Sequence, residues 1–260
     1  MSVLCVVVGD DVMGVTQLHD VVYIVCSGES SIIRFDAVTH HRLADITVKD
    51  MSDPWDIIAC QQTAQLYVAD TACVWRVSSD GEDMKHLLPK SPSDTIKPRT
   101  LSVTSSRLLV TSRDTKQLRQ FDAVGDELRR VDLPDYMEPR HAMESFTGTF
   151  IVSHRNTQQK HGRVSEVNTG GQVLRQFSGS HLLPLSRTPH VAVDSQGNIF
   201  VADYDWCHIL MLDSELALRR VVDEHQLNYK TPFRLNYTEQ SGQLLVGFGE
   251  DVAVFDVLCR

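Results

Sequence analysis

The sequence predicts an all-β fold, a six-bladed β-propeller with four-stranded blades, on three observations. A short apolar strand ending in a small residue recurs six times at a nearly constant interval. Two further columns of residues keep that interval. The two chain ends supply complementary parts of one blade. Internal repeats of 40 to 50 residues with several short strands each are the signature of propeller blades.

The first column runs through YIVCS, LYVAD, LLVTS, FIVSH, FVAD and LLVGF. It aligns Val25, Val68, Val110, Val152, Val201 and Val246, with spacings of 43, 42, 42, 49 and 45 residues. The next position is always small: Cys26, Ala69, Thr111, Ser153, Ala202 and Gly247. A second column follows by about ten residues at Phe35, Val77, Phe121, Val167, Leu212 and Phe255. A third precedes each valine at Pro54, Pro98, Pro139, Pro189 and Pro232, and falls near Val12 in the first unit, where proline is lacking.

Within a unit, β-branched and aromatic runs alternate with turn text such as SSDG, TGG and SQGN, and no stretch keeps a helical apolar period. The second unit shows the expected strands: Trp55–Ala59, Gln65–Asp70, Cys73–Val77 and Lys85–Leu88. A lone four-stranded sheet exposes two apolar faces, and stacking blades around an axis buries both. The valine column then belongs to the layers between blades and the small column to the crowded zone near the axis. Each proline enters an innermost strand, where its missing N–H forfeits no ladder bond.

The last unit supplies three strands, Phe233–Tyr237, Gln243–Phe248 and Val252–Val257, whereas the first already has four between Gly14 and Val48. The segment Ser2–Val8 is thereby expected to complete blade six from its outer side and close the ring, leaving no orphan edge. One domain, residues 1–260, accommodates this arrangement.

Composition fits a soluble globular chain, with 42% hydrophobic and 23% charged residues. No apolar run reaches the roughly 20 residues of a membrane helix, so no membrane partner is expected, and the propeller itself is expected to be monomeric. The start lacks the basic region of a signal peptide. Cys5, Cys26, Cys60, Cys73, Cys207 and Cys259 form neither a CxxC pair nor a zinc spacing. They read as free thiols of a reducing compartment, with a cytoplasmic location expected. A net charge of -9 argues against a general nucleic-acid coat.

The texts LYVADTACVWRVSSDGE and VAVDSQGNIFVADYDWCHILMLDSE resemble the NHL repeat, strongly in blades two and five and more weakly elsewhere. WD repeats fit less well, since neither the GH nor the WD dipeptide occurs. Blade four departs through an enlarged loop, SHRNTQQKHGR. The resemblance implies a propeller like those that end tripartite-motif ubiquitin ligases, where it binds protein or RNA. This sequence carries no RING, B-box or coiled-coil text, so ligase activity would belong to a parent protein.

No GxSxG, HExxH, P-loop or GxGxxG is found. Of the eleven histidines, His154 and His190 are expected near the axial mouth. Two histidines without a clear third ligand support a metal-dependent hydrolase or lyase only weakly, and Asp70 and Asp203 read as turn caps. The expectation is therefore a domain that is not an enzyme and calls for no cofactor or metal. It is a recognition platform whose face carries a basic sector (Arg99, Arg113, Arg140, His154, Arg155, Lys160) and an aromatic one (Trp55, Tyr204, Trp206, Phe233, Phe248), with His190 beside them. Residues 97–163 hold 12 Lys or Arg against 8 Asp or Glu, a net of +4. A protein or peptide ligand is expected first. Single-stranded RNA is the alternative, since arginines with stacking rings suit it too.

Overall fold

In the computed structural model, which describes residues 3–89, 96–112, 114–179, 185, 190–222, 225–228 and 230–257, the described residues form strands and turns without a helix. Twenty-four strands make six antiparallel four-stranded sheets. Blade one comprises β2 (Val12–Leu18), β3 (Val21–Cys26), β4 (Ser31–Asp36) and β5 (Ile46–Thr47). Blade two comprises β6 (Asp56–Cys60), β7 (Gln65–Ala69), β8 (Val74–Ser78) and β9 (Met84–Leu88). Blade three holds β10 (Pro98–Thr104), β11 (Arg107–Ser112), β12 (Gln117–Phe121) and β13 (Glu127–Asp132). Blade four holds β14 (Met137–Glu144), β15 (Phe150–Asn156), β16 (Gly162–Val167) and β17 (Val173–Phe177). Blade five holds β18 (His190–Val193), β19 (Ile199–Asp203), β20 (His208–Leu212) and β21 (Leu218–Val222). Blade six is β22 (Arg234–Thr238), β23 (Gln243–Phe248) and β24 (Asp251–Asp256), completed by β1 (Val3–Val7).

The closure follows the expectation. β1 runs antiparallel to β24, from Val3 opposite Phe255 to Val7 opposite Asp251, and the Val8 N–H continues the pairing to the Glu250 carbonyl. The innermost strands touch in chain order, and β22 meets β2 to shut the circle.

Six apolar clusters fill the six seams between neighbouring blades. Second strands are sandwiched between two blades, which explains their unbroken apolar text: Leu244, Val246 and Phe248 face blade five, whereas Leu245 faces blade one. A fully buried aliphatic or phenyl side chain contributes about 1.5–3 kcal/mol, and the seams collect between 9 and 13 buried residues each. This layered burial is the main source of stability.

The register corrects one alignment. The small column pairs with one inner-strand position in every blade: Ala69 with Asp56, Thr111 with Thr100, Ser153 with His141, Ala202 with His190 and Gly247 with Arg234. In blade one that pair is Val25 with Gly14, so Val25 rather than Cys26 occupies the small column. Ile24 takes the valine position, facing blade six, while Val25 faces blade two. The exchange works because Gly14 has no side chain. A Cβ there would stand 2.5 Å from the Ile57 nitrogen and 2.9 Å from the Asp56 Cα, so blade two's backbone lies directly against it.

The prolines hold their column less strictly. Pro98 opens β10 and Pro139 is the third residue of β14, both beside bulges, and blade one keeps a bulge at Val12/Gly14 without proline. Pro54 and Pro232 lie two residues before β6 and β22, and Pro189 falls outside the described residues.

Candidate functional site in the axial channel

The inner-strand position opposite the small column forms a layer around the axis: Gly14, Asp56, Thr100, His141, His190 and Arg234. An innermost strand has no sheet neighbour on its axial side, so its main-chain groups need side-chain partners. Asp56 accepts from the N–H of Ile57 at 2.9 Å and of Leu101, in blade three, at 2.8 Å. Thr100 Oγ1 donates to the Arg140 carbonyl of blade four at 2.8 Å. Arg234 Nε donates to the Met13 carbonyl, Nη2 to that of Trp55 at 3.0 Å and Nη1 to that of Phe233 at 3.4 Å. One guanidinium thus fastens blade six to blades one and two.

The histidines behave differently. The rings of His141 and His190 stack with centroids 3.8 Å apart and planes 21° from parallel. His141 Nε2 lies 3.3 Å from the Leu101 carbonyl. The protein supplies no hydrogen-bond partner for His141 Nδ1 or for either ring nitrogen of His190. An unsatisfied buried polar group costs about 1–3 kcal/mol. One ligating atom each from Asp56, His141 and His190 lies within 4.8 Å of the others, and all three residues are buried.

Burial sets their charge states. It raises the Asp56 carboxyl to about 6, against the opposing pull of Arg234 and the two N–H donors. Burial lowers His141 to about 3, and burial, then His141 and Arg234, hold His190 well below the ordinary imidazole value. At neutral pH the layer therefore holds an ionised carboxylate, two neutral imidazoles and a guanidinium.

Above this layer lies a cavity of about 320 Å³. Its walls come from the inner strands, and its rim from the turns that lead into the second strands, with Gln61, Ser105, Phe146 and Gln240 among them. No residue of the opposite, loop end (Trp55, Arg99, Arg140, Phe233) lines it. Among the described residues, the cavity runs from the Arg234 layer to the hairpin end.

The sequence-derived residues divide accordingly. His190 lies in the axial layer, 4% exposed, below the cavity. His154, expected at the mouth, is instead buried, with Nε2 2.9 Å from Ser165 Oγ, as are its counterparts after the small column, Asp70, Ser112, Asp203 and Phe248. Phe248 is likewise core, in the seam between blades five and six. Trp55 is half-buried against the core of blades two and three. Arg99 and Arg140 are the extra residues of the bulges in β10 and β14. Arg140 pairs with Glu138 at 2.7 Å, and Arg155 approaches the same carboxylate at 3.7 Å. Lys160 is exposed, and Arg113 lies outside the described residues. Tyr204 and Trp206 are exposed at 41% and 49%, and Tyr204 meets Phe233 edge-on at 5.9 Å. Arg234 covers the Phe233 ring at 4.2 Å. Asp70 caps its turn as expected, accepting from the N–H groups of Ser52, Asp53 and Thr71.

Sequence reasoning missed Asp56, His141 and Arg234. The available signal was the residue two after each proline in blades two, three, four and six, polar where an inner strand would otherwise be apolar. Blade five carries its counterpart one residue after proline, which hid the column.

Fold and site together define a six-bladed β-propeller with a polar-floored axial cavity. No protein-family model and no curated protein matches the chain. Among solved structures, it is similar to virginiamycin B lyase from Staphylococcus aureus, with 8% identity over 99% of both chains and a TM-score of 0.70. It is also similar to the WD40 propeller domain of Doa1, with 14% identity over 98% and 95% and a TM-score of 0.65. A chain of the nidogen–laminin complex gives 15% identity over 86% and 84%, with a TM-score of 0.67. At these identities the likeness is one of fold. It nevertheless corrects the expectation that the domain is not an enzyme. Lyases work on this architecture, and the absence of linear motifs carries no weight where three blades each bring one residue to the axis.

Proposed function

We propose that the chain is a recognition propeller that binds an extended, acidic protein segment on its loop end, with Tyr204 and Trp206 as anchors. The observation that carries this is two exposed rings on one turn, Tyr204 and Trp206, of which Tyr204 rests edge-on against Phe233. Aromatic side chains are the usual hot spots of protein interfaces, and the blade-four loop of the same end carries the exposed Lys160. A structural neighbour that comes from a protein–protein complex, that of nidogen with laminin, supports the same reading.

Protein ranks above RNA because much of the basic sector is already paired. Glu138 serves Arg140 and Arg155, Asp114 serves Lys97 and Asp135 serves Lys116. Phosphate binding draws on free, clustered cations. The NHL-like text of blades two and five supports a finer reading, the recognition module of a tripartite-motif-type regulator. The free thiols of Cys26, Cys60, Cys73 and Cys207 support the cytoplasm as its location.

Selection of acidic extended peptides from a displayed library, followed by titration, tests the proposal. Joint replacement Tyr204→Ala and Trp206→Ala should weaken binding at least about tenfold. Salt-sensitive retention of random single-stranded RNA, lost on Arg99→Glu with Arg140→Glu, would replace the peptide reading by the RNA one.

A further inference from the structure

We propose that Asp56, His141 and His190 bind one divalent transition-metal ion of the zinc class, with an open coordination position facing the cavity. The site is independent of the loop-end surface. Blades two, four and five supply the three ligands from equivalent positions of β6, β14 and β18. Nothing in the repeat demands such residues there, since blade one manages with glycine and blade three with threonine.

Three observations carry the assignment. The candidate donor atoms lie within 4.8 Å of one another, and ligand bonds of about 2.0–2.2 Å form once the two rings turn out of their stack so that both lone pairs converge on one ion. His190 has no protein partner on either ring nitrogen, and His141 has none on Nδ1. The third is orientation. His141 Nε2–H points at the Leu101 carbonyl at 3.3 Å, leaving the Nδ1 lone pair for an ion, and the Leu101 N–H holds Asp56 from the same residue. Outer partners of this kind are what fix metal-ligating side chains.

Ligand chemistry selects the ion. Two imidazoles and one carboxylate suit zinc or cobalt, whereas calcium and magnesium favour all-oxygen shells. Three protein ligands beside an accessible cavity match the open type of zinc site rather than the closed, structural type. Arg234 supplies a nearby positive charge, but its nitrogens are committed to the carbonyls of Met13, Trp55 and Phe233. With Arg234 balancing Asp56, the bound ion leaves an excess positive charge on the channel floor. The open position therefore favours an anion, hydroxide or a small carboxylate or phosphate, admitted through the hairpin-end mouth.

The experiment uses the full chain, stripped with chelator and titrated with Co²⁺, read by elemental analysis and visible absorption. The expected result is about one ion per chain, with the strong absorption of a four- or five-coordinate site that shifts when inorganic phosphate is added. His190→Ala removes a side chain whose ring nitrogens have no protein partner. It should fold with an unchanged circular-dichroism spectrum and lose more than the ten- to hundredfold in affinity that an outer-shell change costs. Tyr204→Ala with Trp206→Ala should leave ion binding unchanged, which separates this site from the loop-end surface. No bound ion in the wild type, or equal affinity in His190→Ala, overturns the proposal. Should His190→Ala not fold, the wild-type spectrum decides alone, and the weak absorption of an octahedral aquo ion overturns it.

Discussion

The seams between blades and the layer around the axis are built on opposite plans. Every seam repeats one solution, interdigitated Val, Leu, Ile and Phe from two second strands and their neighbours. The axial layer solves the same position five ways in six blades, with Gly14, Asp56, Thr100, His141, His190 and Arg234. Repeated chemistry holds the ring together, while varied chemistry at a repeated position marks the site. Stability and specificity should therefore respond separately to substitution.

The largest expected effect is in a seam. Phe150, fully buried between blades three and four, should cost about 3–5 kcal/mol as Phe150→Ala. His190→Ala, one layer inward, should cost clearly less, because the loss of its stack on His141 is offset by removing two buried ring nitrogens that lack partners. Urea midpoints of the two variants measure the contrast. Equal losses would mean that the axial layer is as structural as the seams.

Ring closure comes next. Removing residues 1–8 strips β1 from β24 and takes Val8 and Val6 from the seam between blades six and one. A loss of about 3 kcal/mol follows from those side chains and the exposed strand edge, with a broader melt because the first and last blades are no longer clasped. An unchanged, sharp transition would show that the β2–β22 contact alone closes the circle. Smaller again is Gly14→Ala, which forces a methyl against the backbone of Asp56 and Ile57. Overpacking of this kind costs about 1–3 kcal/mol, and it would shift Asp56 as well, so ion binding should weaken along with stability.

Most of the fold was legible because the seams repeat. Val68, Val110, Val152, Val201 and Val246 share a column and a role, and the unpaired SVLCVVV segment pointed to the closing strand. Blade one misaligned by one residue since the large and small partners, Val25 and Gly14, had traded places across the strand pair. The axial cluster was only partly legible. His190 stood out, but Asp56, His141 and Arg234 come from blades more than 40 residues apart, and His190 stands one residue after its proline where the others stand two, which breaks the count. His154 looked equivalent to His190 in the strand text. The position after the small column is buried in the other blades too, at Asp70, Ser112, Asp203 and Phe248, and His154 turns inward to Ser165.

The finest test of the contrast is pH, where the axial groups oppose one another in the metal-free protein. Asp56, raised to about 6, holds a proton in the folded state that an unfolded carboxyl of about 4 has released. Its contribution to stability is present below the unfolded value and is lost as pH rises through about 6. His141, lowered to about 3, and His190, lowered further by burial and by His141, refuse protons that unfolded imidazoles take up near about 6.5. Their contribution is present above that value and is lost as pH falls. Two histidines outweigh one carboxyl, so acidification from about pH 7 to about pH 4 should destabilise the protein, less steeply than the histidines alone would dictate. His190→Gln removes one of the two and should flatten the pH dependence of the urea midpoint without moving its neutral-pH value much. An unaltered slope would mean that His190 gains a proton in the folded protein, and that the channel floor is wetted through the hairpin-end cavity rather than dry.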